Sequence, residues 1–148
     1  MQTLINSIIA RINELADFRY VARNWNQLSY EQPPVQFPCA LVDITSVNYS
    51  QLAHGSYRAD ATITVTIADQ QLARDAVDHF LDVVNTLIEH LNLFYTDFLE
   101  QPLTLNAFSR SYSDKSYDVY TLTFTTSWSI NIPKAATSKA PNAFKISI

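Results

Sequence analysis

The sequence predicts a two-layer α+β domain in which two helices pack on one face of a mostly antiparallel sheet. Two patterns support this prediction: a long amphipathic helix between residues 69 and 92, and flanking strands that alternate apolar residues with threonine and serine. A sheet covered by helices on both faces would show continuous apolar runs instead. The alternation therefore indicates helices on one face only.

The longest helical pattern lies between Asp69 and Asn92. Apolar residues recur there at the three-and-four spacing of one helical face, and charged residues occupy the opposite face. We expect Asp69 to cap the first turn and Asn92 to end the helix in a left-handed turn, which places the helix at 70–91. Burying the apolar face would give a gross gain on the order of 15 kcal/mol. That face consists of Leu72, Ala73, Ala76, Val77, Phe80, Leu81, Val84, Leu87, Ile88 and Leu91.

The remaining elements follow from apolar periodicity and turn residues. The His54-Gly55 pair marks the turn of a hairpin, and prolines make residues 26–38 a loop. Residues 93–102 fit either a last helical turn or a packed loop. The predicted elements are a helix at 3–17, a short edge strand at 18–25, strands at 39–52, 56–68, 103–112 and 117–132, and a turn at 113–116.

Composition excludes several classes of protein. The single glycine, Gly55, argues against phosphate-cradling and dinucleotide-binding loops, which need several glycines. Cys39 is the only cysteine, so no intrachain disulfide or cysteine-rich metal site is expected. The net charge of −4 argues against nucleic acid as a partner, and no apolar run is long enough for a membrane span. Residues 1–132 are expected to form one domain and 133–148 a C-terminal arm, and the lack of a signal-peptide pattern favours the cytoplasm.

Three groups of polar residues are candidates for chemistry. Asp75, His79 and Asp82 occur at i, i+4 and i+7, a spacing that could hold a divalent metal, but a solvated acidic face fits better because no further ligands accompany them. His54 fits a polar turn residue better than a general base. The threonine and serine rows fit the water-facing side of a sheet. The sequence therefore predicts a protein that is not an enzyme and that binds no metal or cofactor.

The order of the elements resembles one known family. A helix is followed by the proline-led strand PPVQFPCALVDI, the strand YRADATITVTIAD, a second helix and two closing strands that end in YDVYTLTFTTSW. Over residues 1 to about 132, this arrangement resembles the tail terminator, or tail-completion, proteins of long-tailed phages and prophages, including the Mu-like branch. The resemblance rests on length, element order and strand character rather than on a short motif.

The resemblance implies a structural role with no catalytic residues and no cofactor. Family members form six-fold rings that cap the end of the tail tube and offer a surface to the head connector. It therefore implies a homo-oligomer, a hexameric ring, whose partners are the tail tube protein and the head–tail connector. It also implies assembly in the host bacterial cytoplasm and a final place in the virion tail, with no specific nucleic-acid binding and no membrane partner.

The C-terminal arm is the main candidate for a contact between subunits. It carries three lysines and no acidic residue, and its last five residues alternate apolar with polar, whereas the polar face of the long helix is acidic. We expect the apolar residues to supply affinity and the lysines to orient the arm. A frayed tail, or an arm folded onto its own domain, is the alternative. The candidate interface residues are Arg58, Asp75, Asp78, Asp82, Lys139, Phe144, Lys145 and Ile146.

Two other functions fit the same sequence. A small α+β ligand-binding or enzymatic domain could use the acidic helix or the threonine-serine face, and a pocket rimmed by polar groups with shifted pKa values would favour it. The other is a monomeric adaptor subunit of a contractile injection machine. A hexameric mass of the native particle would favour the ring over the ligand-binding or enzymatic domain.

Overall fold

The computed structural model describes residues 1–70, 74–112 and 117–131, without the side chains of residues 74–78 and 112. In these residues, two α-helices and five strands form an α+β fold, as the sequence predicts. In chain order the elements are α1 Gln2–Asn13, β1 Tyr20–Arg23, a short 3₁₀ helix Gln27–Ser29, β2 Cys39–Ala53, β3 Ser56–Gln70, α2 Arg74–Leu91, β4 Gln101–Tyr112 and β5 Tyr117–Asn131.

The five strands form one sheet in the order β1-β2-β3-β5-β4. The short strand β1 runs parallel to β2, and the other three neighbouring pairs are antiparallel. β3 and β5 pair along their whole length, from Ser56 opposite Asn131 to Gln70 opposite Tyr117. The predicted mostly antiparallel sheet is confirmed. Its two edge strands are β1 and β4.

Both helices pack on the same face of the sheet, where the main core lies. The alternation in β3 and β5 determines this, because successive side chains of a strand point to opposite faces. Ile63, Val65 and Ile67 on β3, with Leu122 and Phe124 on β5, are fully buried under the helices. The helix residues that meet them are Leu4, Ile5, Ile8, Ile12, Phe80, Val83, Val84, Leu87 and Leu91.

A cluster of polar contacts joins the ends of the two helices. Arg11 of α1 donates from Nε to the backbone oxygen of His90 at 3.0 Å and from Nη1 to Glu14 at 3.2 Å. His90 Nε2 lies 3.0 Å from the same Glu14 carboxylate, and the Arg11 guanidinium lies 5.3 Å from the centre of the Phe94 ring. These contacts hold the last turn of α2 against α1.

The opposite face of the sheet is partly covered as well. A second apolar cluster there contains Cys39, Leu41 and Tyr117, packed against the loop that precedes β2. The Tyr117 hydroxyl donates to the Leu28 backbone oxygen at 2.6 Å, and its ring stacks on Phe37 at 5.4 Å. The expectation that water covers this face is therefore wrong at this end of the sheet, because the proline-rich loop folds over it.

The boundaries around α2 differ from those predicted. Asp69 belongs to β3, and its Oδ1 accepts a hydrogen bond from Gln70 N at 2.8 Å instead of capping a helix. After α2, Leu93 and not Asn92 takes the left-handed conformation, with a φ of 67°. Asn92 instead accepts a hydrogen bond from Leu105 N at 3.0 Å, so its side chain joins the end of the helix to β4.

The other predicted elements are present with shifted ends. Helix α1 ends at Asn13, four residues earlier than predicted, and the predicted edge strand shortens to Tyr20–Arg23. Residues 93–100 form a packed loop, held by Leu103 N donating to Phe94 O at 2.9 Å. The predicted turn at 113–116 and the C-terminal arm lie outside the described residues. Neither described helix is long and apolar enough to cross a membrane.

Candidate functional site: an assembly surface

A groove runs between one flank of α2 and the edge strand β4. Its volume is about 370 Å³, and it is lined by four apolar side chains and one asparagine. The groove exists because the apolar stripe of α2 extends past the last strand: Leu87 is fully buried over the sheet, while Leu81 and Ile88 are only half-buried. We call this feature the α2–β4 groove. Its lining residues are Leu81, Val84, Asn85, Ile88 and Phe108.

Phe108 forms the β4 side of this groove. It lies opposite Leu122 in the strand register, so it points to the helix side of the sheet. Its ring centre lies 6.0 Å from that of Tyr120, yet 45% of the residue is exposed. An exposed aromatic ring beside half-buried aliphatic side chains marks a surface that a partner can cover.

The free edge of β4 runs beside the groove. Near its start this edge is already bonded to the preceding loop, because Leu93 N donates to Leu103 O at 2.6 Å and Leu105 N donates to the Asn92 side chain. From Asn106 to Ser111, no strand in the described part of the chain pairs with it. An unpaired edge next to an apolar groove is a template for an added strand.

A second open edge lies on the opposite side of the sheet. β1 pairs only with Cys39–Val42, so the outer edge of β2 beyond Val42 is uncovered by the other described strands. From Thr45 to Ala53 most of β2 is exposed, and it carries the large apolar side chains Tyr49 (51% exposed) and Leu52 (57% exposed). This part of β2 is therefore an open, largely exposed edge that carries large apolar side chains.

The candidate catalytic residues do not converge. His79 and Asp82 are both exposed on α2, while the side chains of Asp75 and Asp78 lie outside the described residues. Within residues 1–70, 74–112 and 117–131, no group of three histidine, cysteine, aspartate or glutamate side chains is placed to hold a metal. His54 is exposed in the β2–β3 turn, beside Gly55 with its φ of 70°.

Among the described side chains, two titratable groups have shifted pKa values, and both lie away from the groove. Burial raises the pKa of the Cys39 thiol to about 11 despite a backbone hydrogen bond at Ala68, and the nearby Asp69 charge adds to the rise. Burial also raises the pKa of the Asp69 carboxyl, partly offset by the bond from Gln70 N. A protonated, fully buried thiol is a poor nucleophile. Packing at the end of β3 therefore explains both raised pKa values.

The predicted interface residues fall into three sets. Arg58 projects from β3 on the face away from the helices and pairs with Asp60 on its own strand, with Nε 3.1 Å from Oδ1. Asp82 lies on the exposed side of α2, in the other layer, so these two residues do not share one patch. The remaining six predicted residues have side chains outside the described set. The interface prediction stays a prediction.

Sequence reasoning missed the groove, although it identified most of the residues that form it. Leu81, Val84 and Ile88 belong to the predicted apolar face of the long helix, and all were expected in the core. Phe108 lies in the mostly polar stretch Asn106 to Ser111, where apolar and polar residues do not alternate regularly, so the sequence does not predict which face of the sheet its side chain is on. The one feature that could have predicted the groove was the width of the apolar stripe on the long helix, because a helix at the edge of a sheet can bury only part of so wide a stripe.

Comparisons with known proteins support the fold. No protein-family model matches the chain, and no curated protein matches it. Among solved structures, the chain is similar to a chain of the virion of a native gene transfer agent particle, with a TM-score of 0.64 and 10% sequence identity. The match covers 86% of this chain and 95% of that chain. At this identity the similarity shows a shared fold.

Proposed function

We propose that this chain is a structural protein of a phage or prophage tail, which assembles into a ring, caps the tail tube and joins it to the head connector. Two findings support the proposal. The fold is shared with nearly the whole of a chain from a gene transfer agent virion. The element order also resembles that of the tail terminator proteins.

The observation that carries the proposal is the pair of open surfaces on opposite sides of the sheet. The exposed β2 edge and the β4 edge with its groove differ in sequence, and only the β4 edge borders a groove lined by helix α2. A ring needs a heterologous contact, in which one surface of a subunit meets a different surface of the next. Two different open surfaces on opposite sides of one sheet meet that requirement, whereas a C2 dimer needs a single self-complementary patch.

The proposed partners follow from the position of such a ring. One face would contact the tail tube protein and the other the head–tail connector, with assembly in the host bacterial cytoplasm and a final place in the virion tail. The ring would act through binding alone, without a cofactor. Its contacts would be those of protein with protein, in keeping with the acidic net charge of −4.

Labelling of intact particles tests this function. Gold-coupled antibody against the purified chain, applied to particles from the bacterium that encodes it, should mark one point where tail meets head. Deleting the gene should yield unjoined heads and tails without that label, and a plasmid copy should restore joined particles. Label along the whole tail, or normal particles after deletion, would contradict the proposal.

A further inference from the structure

We propose that the α2–β4 groove binds residues 143–148 of a neighbouring copy of this chain, as a strand added to the edge of β4. This inference rests on the proposed ring, because it names one contact between ring subunits. The groove is on the described surface, and the segment that would fill it, AFKISI, lies outside the described residues.

The alternation in this segment matches the shape of the site. In an added strand, Phe144, Ile146 and Ile148 would share one face, and Lys145 and Ser147 the other. The groove lies on the helix side of β4, where Leu81, Ile88 and Phe108 offer apolar surface. A strand beside Asn106–Ser111 would therefore insert its apolar face under the overhanging flank of α2. Main-chain bonds to the free edge would add affinity, as in other cases of strand addition.

Charge on the rim of the groove favours the same occupant. On α2, Asp82, Asn85 and Glu89 occur at i, i+3 and i+7, so two carboxylates flank the asparagine that lines the groove. Both acidic residues are exposed. Residues 132–148 contain Lys134, Lys139 and Lys145 and no acidic residue. Exposed pairs of this kind contribute little affinity but help to orient a docking segment.

The geometry of β5 favours a neighbour's segment over the chain's own. Phe108 lies opposite Leu122, and β5 runs nine residues further to Asn131, about 30 Å at 3.3 Å per residue. Asn131, the last described residue of β5, thus lies beside the β2–β3 turn, where its Oδ1 accepts a hydrogen bond from Ser56 Oγ at 2.8 Å, and β5 runs in the direction away from the chain's own groove. Residues 132–142 span at most about 36–40 Å when fully extended, so a return to the chain's own groove needs an immediate reversal and a nearly straight path. A neighbour whose β4 edge faces this hairpin needs no reversal.

Cysteine cross-linking between two different chains tests the proposal. The native Cys39 is fully buried, so introduced thiols react selectively. Full-length chains carrying Asn85→Cys are mixed with full-length chains carrying Ile146→Cys, and mild oxidant is added. We expect a disulfide-linked pair of one chain of each kind, twice the 16.8 kDa chain mass on a denaturing gel. Mixing Thr86→Cys with Ile146→Cys is the matched control, because Thr86 is exposed on α2 but does not line the groove.

A chain carrying both Asn85→Cys and Ile146→Cys distinguishes the two origins of the segment. Cross-linking only within single chains would overturn the neighbour assignment, and equal cross-linking of Thr86→Cys would overturn the site. If the full chain forms a ring but no mixed pair appears, the groove assignment fails while the proposed function survives. If the full chain is a monomer, the proposed function fails with it.

A blocked groove gives a second, independent readout. Asn85→Trp should fill the groove from an exposed helix position and weaken self-association about 100-fold. The double change Phe144→Ser and Ile146→Ser should weaken self-association by a similar factor, because two apolar side chains lose their burial. Thr86→Trp adds the same bulk one residue away and should leave association unchanged. Unchanged association in both groove and segment variants, measured by sedimentation, would overturn the proposal.

Discussion

Replacing Phe80 with alanine tests whether α2 packs on the sheet as described. Phe80 is 4% exposed, and its ring centre lies 5.4 Å from that of Tyr120 on β5. Removing a buried phenylalanine loses the transfer free energy of the ring and leaves a cavity that close-packed neighbours fill only in part. The expected loss in the free energy of unfolding is about 3–5 kcal/mol.

Phe108→Ala is the matched control, because both phenylalanines contact the same tyrosine ring. Phe108 lies 6.0 Å from Tyr120 but is 45% exposed, so its removal should cost only about 1 kcal/mol in the monomer. Urea unfolding followed by circular dichroism, at one low protein concentration, measures both. With a slope near 2 kcal/mol/M, the Phe80 variant should lose about 1.5–2.5 M in midpoint.

Two results would refute the packing argument. A loss below about 1 kcal/mol for Phe80→Ala would mean that the helix does not bury this ring. Equal losses for the two variants would mean that exposure does not distinguish the two sites. The concentration dependence of the Phe108→Ala loss is a separate matter. If a neighbouring chain fills the groove, association stabilises the folded unsubstituted chain by mass action, so the loss in the free energy of unfolding should grow with protein concentration.

Three further outcomes follow from the described side chains. Arg110→Ala should lower the free energy of unfolding by about 2–4 kcal/mol in urea titrations, because the mostly buried Asp118 carboxyl, 3.1 Å from Arg110 Nη2, loses that partner. Arg110→Lys should recover part of the loss, and no loss would contradict the role of this pair. Cys39 should resist thiol reagents at pH 8 until the chain is unfolded, since burial raises its pKa to about 11; rapid labelling of the folded chain would contradict that burial. Burial raises the pKa of Asp69, so ionisation of this carboxyl favours the unfolded chain. Asp69→Asn should therefore raise the free energy of unfolding at pH 7 and have little effect at pH 3, where the carboxyl is protonated. An equal gain at both pH values would point to a cause other than charge.

The sequence was sufficient to predict the layers of this fold. Ile63, Val65 and Ile67 alternate with threonines, and a period of two permits only one buried face. The long helix shows the complementary apolar stripe. Since each pattern needs the other for burial, their order along the chain was enough to predict helices on one face of an antiparallel sheet.

The details that depend on contacts between distant residues could not be predicted in the same way. Asp69 has the properties of a helix cap, but pairing with β5 extends β3 through it. Asn92 has the properties of a left-handed helix end, but its side chain bonds β4 instead. The groove joins α2 to Phe108 across two elements and depends on which strand lies at the edge, which periodicity does not specify.

The native mass of the complete chain tests the central proposal most directly. Mass spectrometry under non-denaturing conditions should find one closed assembly, and the hexamer implied by the resemblance would weigh about 101 kDa as six copies of the 16.8 kDa chain. Its mass should not increase with concentration, because a closed ring leaves no unfilled heterologous surface. A species of 16.8 kDa at every concentration, or an open series of ever larger assemblies, would contradict the ring.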